Sequence, residues 1–267
     1  MSVPILRQMV IAAICISACA FLISAPAPDF TQHNKAYYAD PNLVNFVRPG
    51  LVLKITSAEI AADGTIKARF KLTDPKGAPL EREGITTPGP VSVSFIAAYI
   101  PKGKTQYAAY TTRVQTSPIT KVTAGFDKTV THTIGGYATR NLSEFGMGNF
   151  YDNNVYNFVP DGSKVSVVRD VIRTASCNKC HDQMAFHGGS RRTMEVCILC
   201  HQPQTVDPDT GNTVDMPVMI HKIHMGSGLP SVRAGKPYQI IGHNQTVADY
   251  SGITFPADAR NCSACHE

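Results

Sequence analysis

Apolar and polar positions alternate along much of the first two thirds of the chain. Leu51, Leu53 and Ile55 alternate with Val52, Lys54 and Thr56, and Ile66, Ala68, Phe70 and Leu72 alternate with Lys67, Arg69 and Lys71. A period of two is the mark of a half-buried strand. Asp63-Gly64 between the two runs signals a hairpin, and Asp74-Pro75-Lys76-Gly77 signals a turn after the second. Further strands are predicted over residues 91–100, 107–114, 129–134, 155–159 and 164–168, the last two joined by Pro160-Asp161-Gly162. Short strands punctuated by turns describe an all-β N-terminal domain over residues 28–172, an antiparallel Greek-key or Ig-like sandwich or barrel. His132, in line with Val130 and Ile134, reads as a core or surface residue of that domain rather than a haem ligand, and His33 lies in its N-terminal segment.

From residue 173 to 267 the alternation gives way to short helices and little regular structure. Residues 182–186 predict a short helix that ends at His187, with Gly188-Gly189 as the stop. Residues 216–226 predict another, with Pro217 in its first turn and Gly226 at its end. The chain's first 27 residues read as an export signal, with Arg7 ahead of an apolar run over residues 9–23. Ile16-Ser17-Ala18-Cys19 within it has the form of a bacterial lipobox; the alternative is cleavage near Ala25 or Ala27, with Cys15 and Cys19 as apolar filler. No later stretch approaches the roughly 20 apolar residues of a membrane-spanning helix, so the expected membrane attachment is a lipid anchor.

With 267 residues, 43% of them hydrophobic and 17% charged, the chain is long enough and apolar enough for two domains. Its formal charge of +5 supports no nucleic-acid reading. The cysteines change the picture. Six of the eight fall as three C-x-x-C pairs, each followed at once by histidine: Cys177-Asn178-Lys179-Cys180-His181, Cys197-Ile198-Leu199-Cys200-His201 and Cys262-Ser263-Ala264-Cys265-His266. Two thiols one helical turn apart can add to the two vinyl groups of a haem, and the adjacent imidazole then reaches the iron. Zinc ribbons and disulfide frameworks also use paired cysteines, but neither gives a reason for a histidine after every pair. The motifs therefore predict three covalently bound haem c groups.

Beyond the motif histidines, the segment after Cys177 holds His187, His221, His224 and His243, four candidates for the second axial position on three irons. Met184, Met194, Met216, Met219 and Met225 are the alternative ligands and would raise the reduction potential. The histidine enrichment favours bis-histidine ligation, which leaves no axial position for a substrate. His221 and His224, three apart, share one helix face and can serve two neighbouring haems. An H-x-x-H pair can also bind zinc, but the glutamate of the H-E-x-x-H arrangement is missing. His243, in Gly242-His243-Asn244, has solvent exposure or a hydrogen bond as its alternative.

These residues resemble the outer-surface decahaem cytochromes of the OmcA/MtrC type. The likeness runs through the leader, the β-rich domain, Tyr137-Ala138-Thr139-Arg140-Asn141 and the haem motifs. Its most specific pieces are His187-Gly188-Gly189-Ser190-Arg191, Cys200-His201-Gln202-Pro203 and Met219-Ile220-His221-Lys222-Ile223-His224. The resemblance implies a split β-barrel followed by a multihaem domain, with His187, His221 and His224 as distal ligands. It also implies export to the cell surface or outer membrane of a Gram-negative-type bacterium, the periplasm being the alternative, and a porin-cytochrome conduit or other cytochromes as partners. The expected activity is electron delivery to Fe(III) or Mn(IV) minerals, flavins or humics, with outer-sphere terminal metal reduction as the enzymatic form. Members of that family repeat the β-plus-haem unit, whereas this sequence stops one residue after His266, so an incomplete conduit is expected. Rival functions are a haem-wired binding module and a multihaem oxidoreductase with an open axial site.

Overall fold

The computed structural model describes residues 30–110 and 126–266. The predicted leader with Cys15 and Cys19, and the part of the 107–114 strand beyond residue 110, lie outside them. The chain divides into two compact units, Met1–Tyr38 and Ala39–Glu267. In the first, a 3-10 turn spans Lys35–Tyr38, with the Tyr37 and Tyr38 rings edge-on at 5.1 Å.

The second unit opens with α1 (Pro41–Val47), where Asp40 caps the N-terminus by accepting from the Asn42 and Leu43 N–H groups. β1 (Val52–Ile60) and β2 (Ile66–Thr73) form an antiparallel hairpin, with a register shift between Ile55 and Ser57. Leu51, Leu53 and Ile55 are buried, as their alternation predicts. β3 (Val91–Tyr99), β4 (Ala108–Ala109), β5 (His132–Leu142) and β6 (Gly148–Phe158) build an antiparallel sheet in the order β4-β3-β5-β6. Four short helices follow: α2 (Thr174–Asn178), α3 (Met194–Cys197), α4 (Met216–Met225) and α5 (Pro230–Arg233). The hairpin of β7 (Gln239–Ile241) and β8 (Val247–Asp249) comes next. The described residues are thus mostly sheet with a few short helices.

Apolar burial and a small number of polar ties hold the sheets together. Leu51, Leu53, Leu72, Leu80, Val91 and Ala138 form one core cluster, and Ile55, Ile60, Ala97, Ile134 and Phe158 a second. β1 meets β6 through side chains: the Asp152 carboxylate accepts from the Leu53 N–H at 2.7 Å, and Asn154 Oδ1 from the Ile55 N–H at 2.9 Å. Burial raises the Asp152 pKa, against the Leu53 and Asn153 backbone N–H groups, which lower it. Arg140 is fully buried, and its guanidinium donates to the carbonyls of Val47, Arg48, Gly50 and Pro88. His132 is buried among the rings of Tyr99, Tyr110, Phe126 and Phe158, a core position.

The structure differs from the sequence pattern at four places. β5 runs straight through Gly135-Gly136, which the pattern reads as an end, because a Cβ at Gly135 would lie 2.5 Å from Leu199 Cδ1 and one at Gly136 2.9 Å from Leu53 Cδ2. β6 starts seven residues before the predicted 155, its Asn- and Asp-rich first half concealed by low strand propensity. Residues 164–168 form no strand; the Thr131 hydroxyl donates to the Val167 carbonyl at 2.8 Å where a ladder was expected. Residues 182–186 form no helix either. Asp182 and His187 have left-handed backbone (φ 46° and 51°), and Phe186 pairs with Arg191 across a tight turn.

Candidate functional site

The three C-x-x-C-H motifs adopt one backbone shape. In the first, the Cys177 carbonyl accepts from the N–H groups of Cys180 and His181 at 3.2 and 3.1 Å; Cys197 does the same for Cys200 and His201 at 3.2 and 3.0 Å, and Cys262 for Cys265 and His266 at 3.2 and 2.9 Å. This single turn sets the two thiols on neighbouring positions of one face, with the imidazole directly after them. The six motif cysteines form no disulfides with one another. Burial pushes the Cys197 thiol up to about 11, with the neighbouring Cys200, Cys177 and Glu195 adding to the effect.

Each motif histidine lies beside a second histidine from elsewhere in the sequence. The His181 and His224 ring centroids lie 6.0 Å apart, those of His187 and His201 6.0 Å, and those of His221 and His266 6.2 Å. An iron about 2 Å from each ring nitrogen, with each nitrogen about 1.2 Å from its ring centre, sets the centroids about 6.4 Å apart. The residues therefore fit haem c: two thiols for the thioether bonds, and one imidazole for each axial position. No group of three or more His, Cys, Asp or Glu side chains among the described residues is arranged to hold a lone metal ion.

Hydrogen bonds aim the rings. His201 Nδ1 lies 2.8 Å from the Val214 carbonyl, His221 Nδ1 2.5 Å from that of Pro217, and His224 Nδ1 2.9 Å from that of Ile220. A carbonyl can only accept, so Nδ1 carries the proton and Nε2 keeps the lone pair a metal needs. Burial lowers the pKa of His187 and of His201; Arg191 lowers both further, and the Val214 carbonyl partly opposes the shift at His201. Both imidazoles are consequently held neutral at neutral pH, the form that ligates.

The second motif is seated on the sheet. Leu199, between its two cysteines, is fully buried against Ala98, Ile100 and Tyr107, and Gly135 leaves the space for it. Asn153 of β6 donates to the Ser190 carbonyl at 2.8 Å and accepts from the Arg192 N–H at 2.6 Å, which fixes the turn after His187. The Arg191 and Arg192 guanidinium groups lie 4.1 and 4.5 Å over the Tyr137 and Tyr151 rings. A Cβ at Gly189 (φ 87°) would lie 3.5 Å from the Tyr151 ring.

α4 carries two of the paired histidines. Asp215 stands at its N-cap; Pro217 lies in its first turn and Gly226 ends it, these two as expected from the sequence. Gly226 has φ 43°, and a Cβ there would collide with the Ile253 carbonyl, so this end must be glycine. Lys222, between the two histidines, points elsewhere: its ammonium lies 4.1 Å over the Tyr238 ring and donates to Asn212 Oδ1 at 3.2 Å. Met184, Met194 and Met216 are buried together in a cluster against which Cys177, Cys197 and Met219 pack. His243 opens an exposed 3-10 turn, His243–Gln245, and belongs to none of the three pairs. The sequence reading missed Asn153, Leu199, Gly135 and the two Arg-Tyr stacks; the Gly-Gly inside an otherwise apolar strand was the signal that another segment approaches there.

Residues 169–267 match the family model described as outer membrane cytochrome MtrC/MtrF-like, domains II/IV. This segment is similar to that family. The structure is similar to the outer membrane decahaem cytochrome OmcA, with a TM-score of 0.60 and 20% identity over 81% of this chain and 40% of that one. MtrC from Shewanella baltica OS185 matches with a TM-score of 0.49 and 18% identity over 68% of this chain and 33% of that one. The chain thus spans less than half the length of either protein, and the OmcA likeness is one of fold. Among curated proteins no match was found.

Proposed function

We propose that this chain is an electron-transfer protein of extracellular respiration that holds three covalent haem c groups. The observation that carries this reading is the set of three histidine pairs at iron-bridging distance, each containing one motif histidine. Cys177, Cys180 and His181 would hold the first haem together with His224; Cys197, Cys200 and His201 the second together with His187; Cys262, Cys265 and His266 the third together with His221. When bound, the iron would supply reversible one-electron exchange, and ligation by two imidazoles would leave it no site for a substrate. Residues 28–172 are then the split β-barrel and residues 173–267 the haem domain.

The protein's own contacts set the order of the sites. α4 presents His221 and His224 one turn apart, so the first and third sites are neighbours. Cys177 and Cys197 pack against one buried cluster of Met184, Met194 and Met216, so the first and second motifs are neighbours as well. The order is second, first, third. The family match and the OmcA-like fold support a cell-surface location, a porin-cytochrome partner and acceptors such as Fe(III) or Mn(IV) minerals, flavins or humics.

Intact mass and a haem stain of the denatured chain should give three haems. His224→Ala, His187→Ala and His221→Ala should each open one iron, seen as a high-spin signal that an added ligand such as imidazole abolishes. A colourless protein, or no spectral change in any of the three variants, would overturn the reading.

A further inference from the structure

Arg191 is a cation without an anion. Its guanidinium stacks 4.1 Å over the Tyr137 ring, and its side-chain hydrogen bond goes to the Ser190 hydroxyl at 3.3 Å. No carboxylate among the described residues pairs with it. A guanidinium has five N–H donors in a rigid fork, so most of them are unengaged at a half-buried position. Arg192, beside it, differs: it donates to the Gly189 carbonyl at 2.7 Å and to Gln183 Oε1 at 2.5 Å.

The backbone points Arg191 at the second site. Phe186, immediately before His187, exchanges both backbone hydrogen bonds with Arg191, at 3.0 and 3.2 Å, so the turn that presents His187 also fixes Arg191. His187, next to Phe186, lies 6.0 Å from His201, so Arg191 is held beside that pair. A haem brings two propionate carboxylates, the planar anions that an arginine fork engages in bidentate fashion. A cation near the iron also favours the reduced state, which carries one positive charge fewer.

We propose that Arg191, held on the Tyr137 ring, is the counter-ion of a propionate of the second haem and raises the midpoint potential of that site. The inference rests on the ligand pairing above. It assigns Arg191 and Tyr137 a tuning role that ligation does not require, and it explains why a sheet residue 50 positions from His187 supports the turn from below.

The test is potentiometry of the full haem-loaded chain, read by electron paramagnetic resonance. The paired rings cross at 72°, 39° and 16° at the first, second and third sites, and the low-spin signal lost in His187→Ala marks that of the second. Arg191→Gln should move the midpoint of the 39° site to more negative potential and leave the other two in place. Arg191→Lys, which keeps the charge, should restore most of the shift. Tyr137→Leu, which keeps the arginine but removes its platform, should give a smaller shift in the same direction. An unmoved midpoint in Arg191→Gln, with three low-spin signals intact, would overturn the tuning role alone. A wild-type chain without low-spin bis-histidine signals would overturn the ligand pairing, and this role with it.

Discussion

Gly135 and Leu199 should behave as one unit although 64 positions separate them, because a Cβ at Gly135 would lie 2.5 Å from Leu199 Cδ1. Leu199 is 0% exposed, so Leu199→Ala removes three buried carbons, worth about 0.8 kcal/mol each, or about 2.4 kcal/mol. The cavity left against Ala98, Ile100 and Tyr107 brings the loss to about 3–4 kcal/mol. Gly135→Ala alone overpacks the same contact and should cost about 1–2 kcal/mol, even though alanine is the better strand residue. In the double variant the new methyl enters the space that the leucine left. The combined loss should then fall short of the sum by at least about 1 kcal/mol. Denaturant unfolding of the haem-loaded chain, followed by far-UV circular dichroism and the Soret band, measures all three. Additive losses, or a Leu199→Ala cost under about 1 kcal/mol, would refute the packing of the second motif on β5.

Three further outcomes follow from other contacts. Arg140→Met leaves the Val47, Arg48, Gly50 and Pro88 carbonyls without their donor and should cost about 3–5 kcal/mol by denaturant midpoint, against under about 1 kcal/mol if the guanidinium were dispensable. Asn153→Ala removes both ties to the turn after His187 and should cost about 1–3 kcal/mol, with faster amide exchange at Arg192; unchanged exchange there would contradict the tie. Burial lowers the His132 pKa below its ordinary 6.5, so as pH falls below that value the unfolded chain takes up a proton that the folded chain refuses. Stability should therefore drop by up to about 1.4 kcal/mol per pH unit from about pH 6.5 down to the lowered folded value, and His132→Leu should remove that component of the slope.

How much of this was legible in the sequence depended on whether the cause was local. The motif turn is local: a C-x-x-C-H pentapeptide closes its own hydrogen bonds, and all three copies look alike. The first hairpin and α4 were legible for the same reason, with Asp63-Gly64, Pro217 and Gly226 marking their ends. The strand limits were not. Gly135 and Gly136 are glycines because Leu199 and Leu53 approach from distant segments, and Asn154 and Asp152 sit in a strand because they bond β1. The choice among His187, His221, His224 and His243 was likewise open, since distance along the chain says nothing of which imidazole faces which. The folded geometry pairs the first three with the motif histidines and leaves His243 exposed.

The pairing is most directly tested by locating the iron atoms. Anomalous diffraction at the iron edge from crystals of the haem-loaded chain should give three peaks: one between His181 and His224, one between His187 and His201, and one between His221 and His266. A peak bridging any other pair, an iron ligated by methionine or by His243, or fewer than three irons would contradict the account.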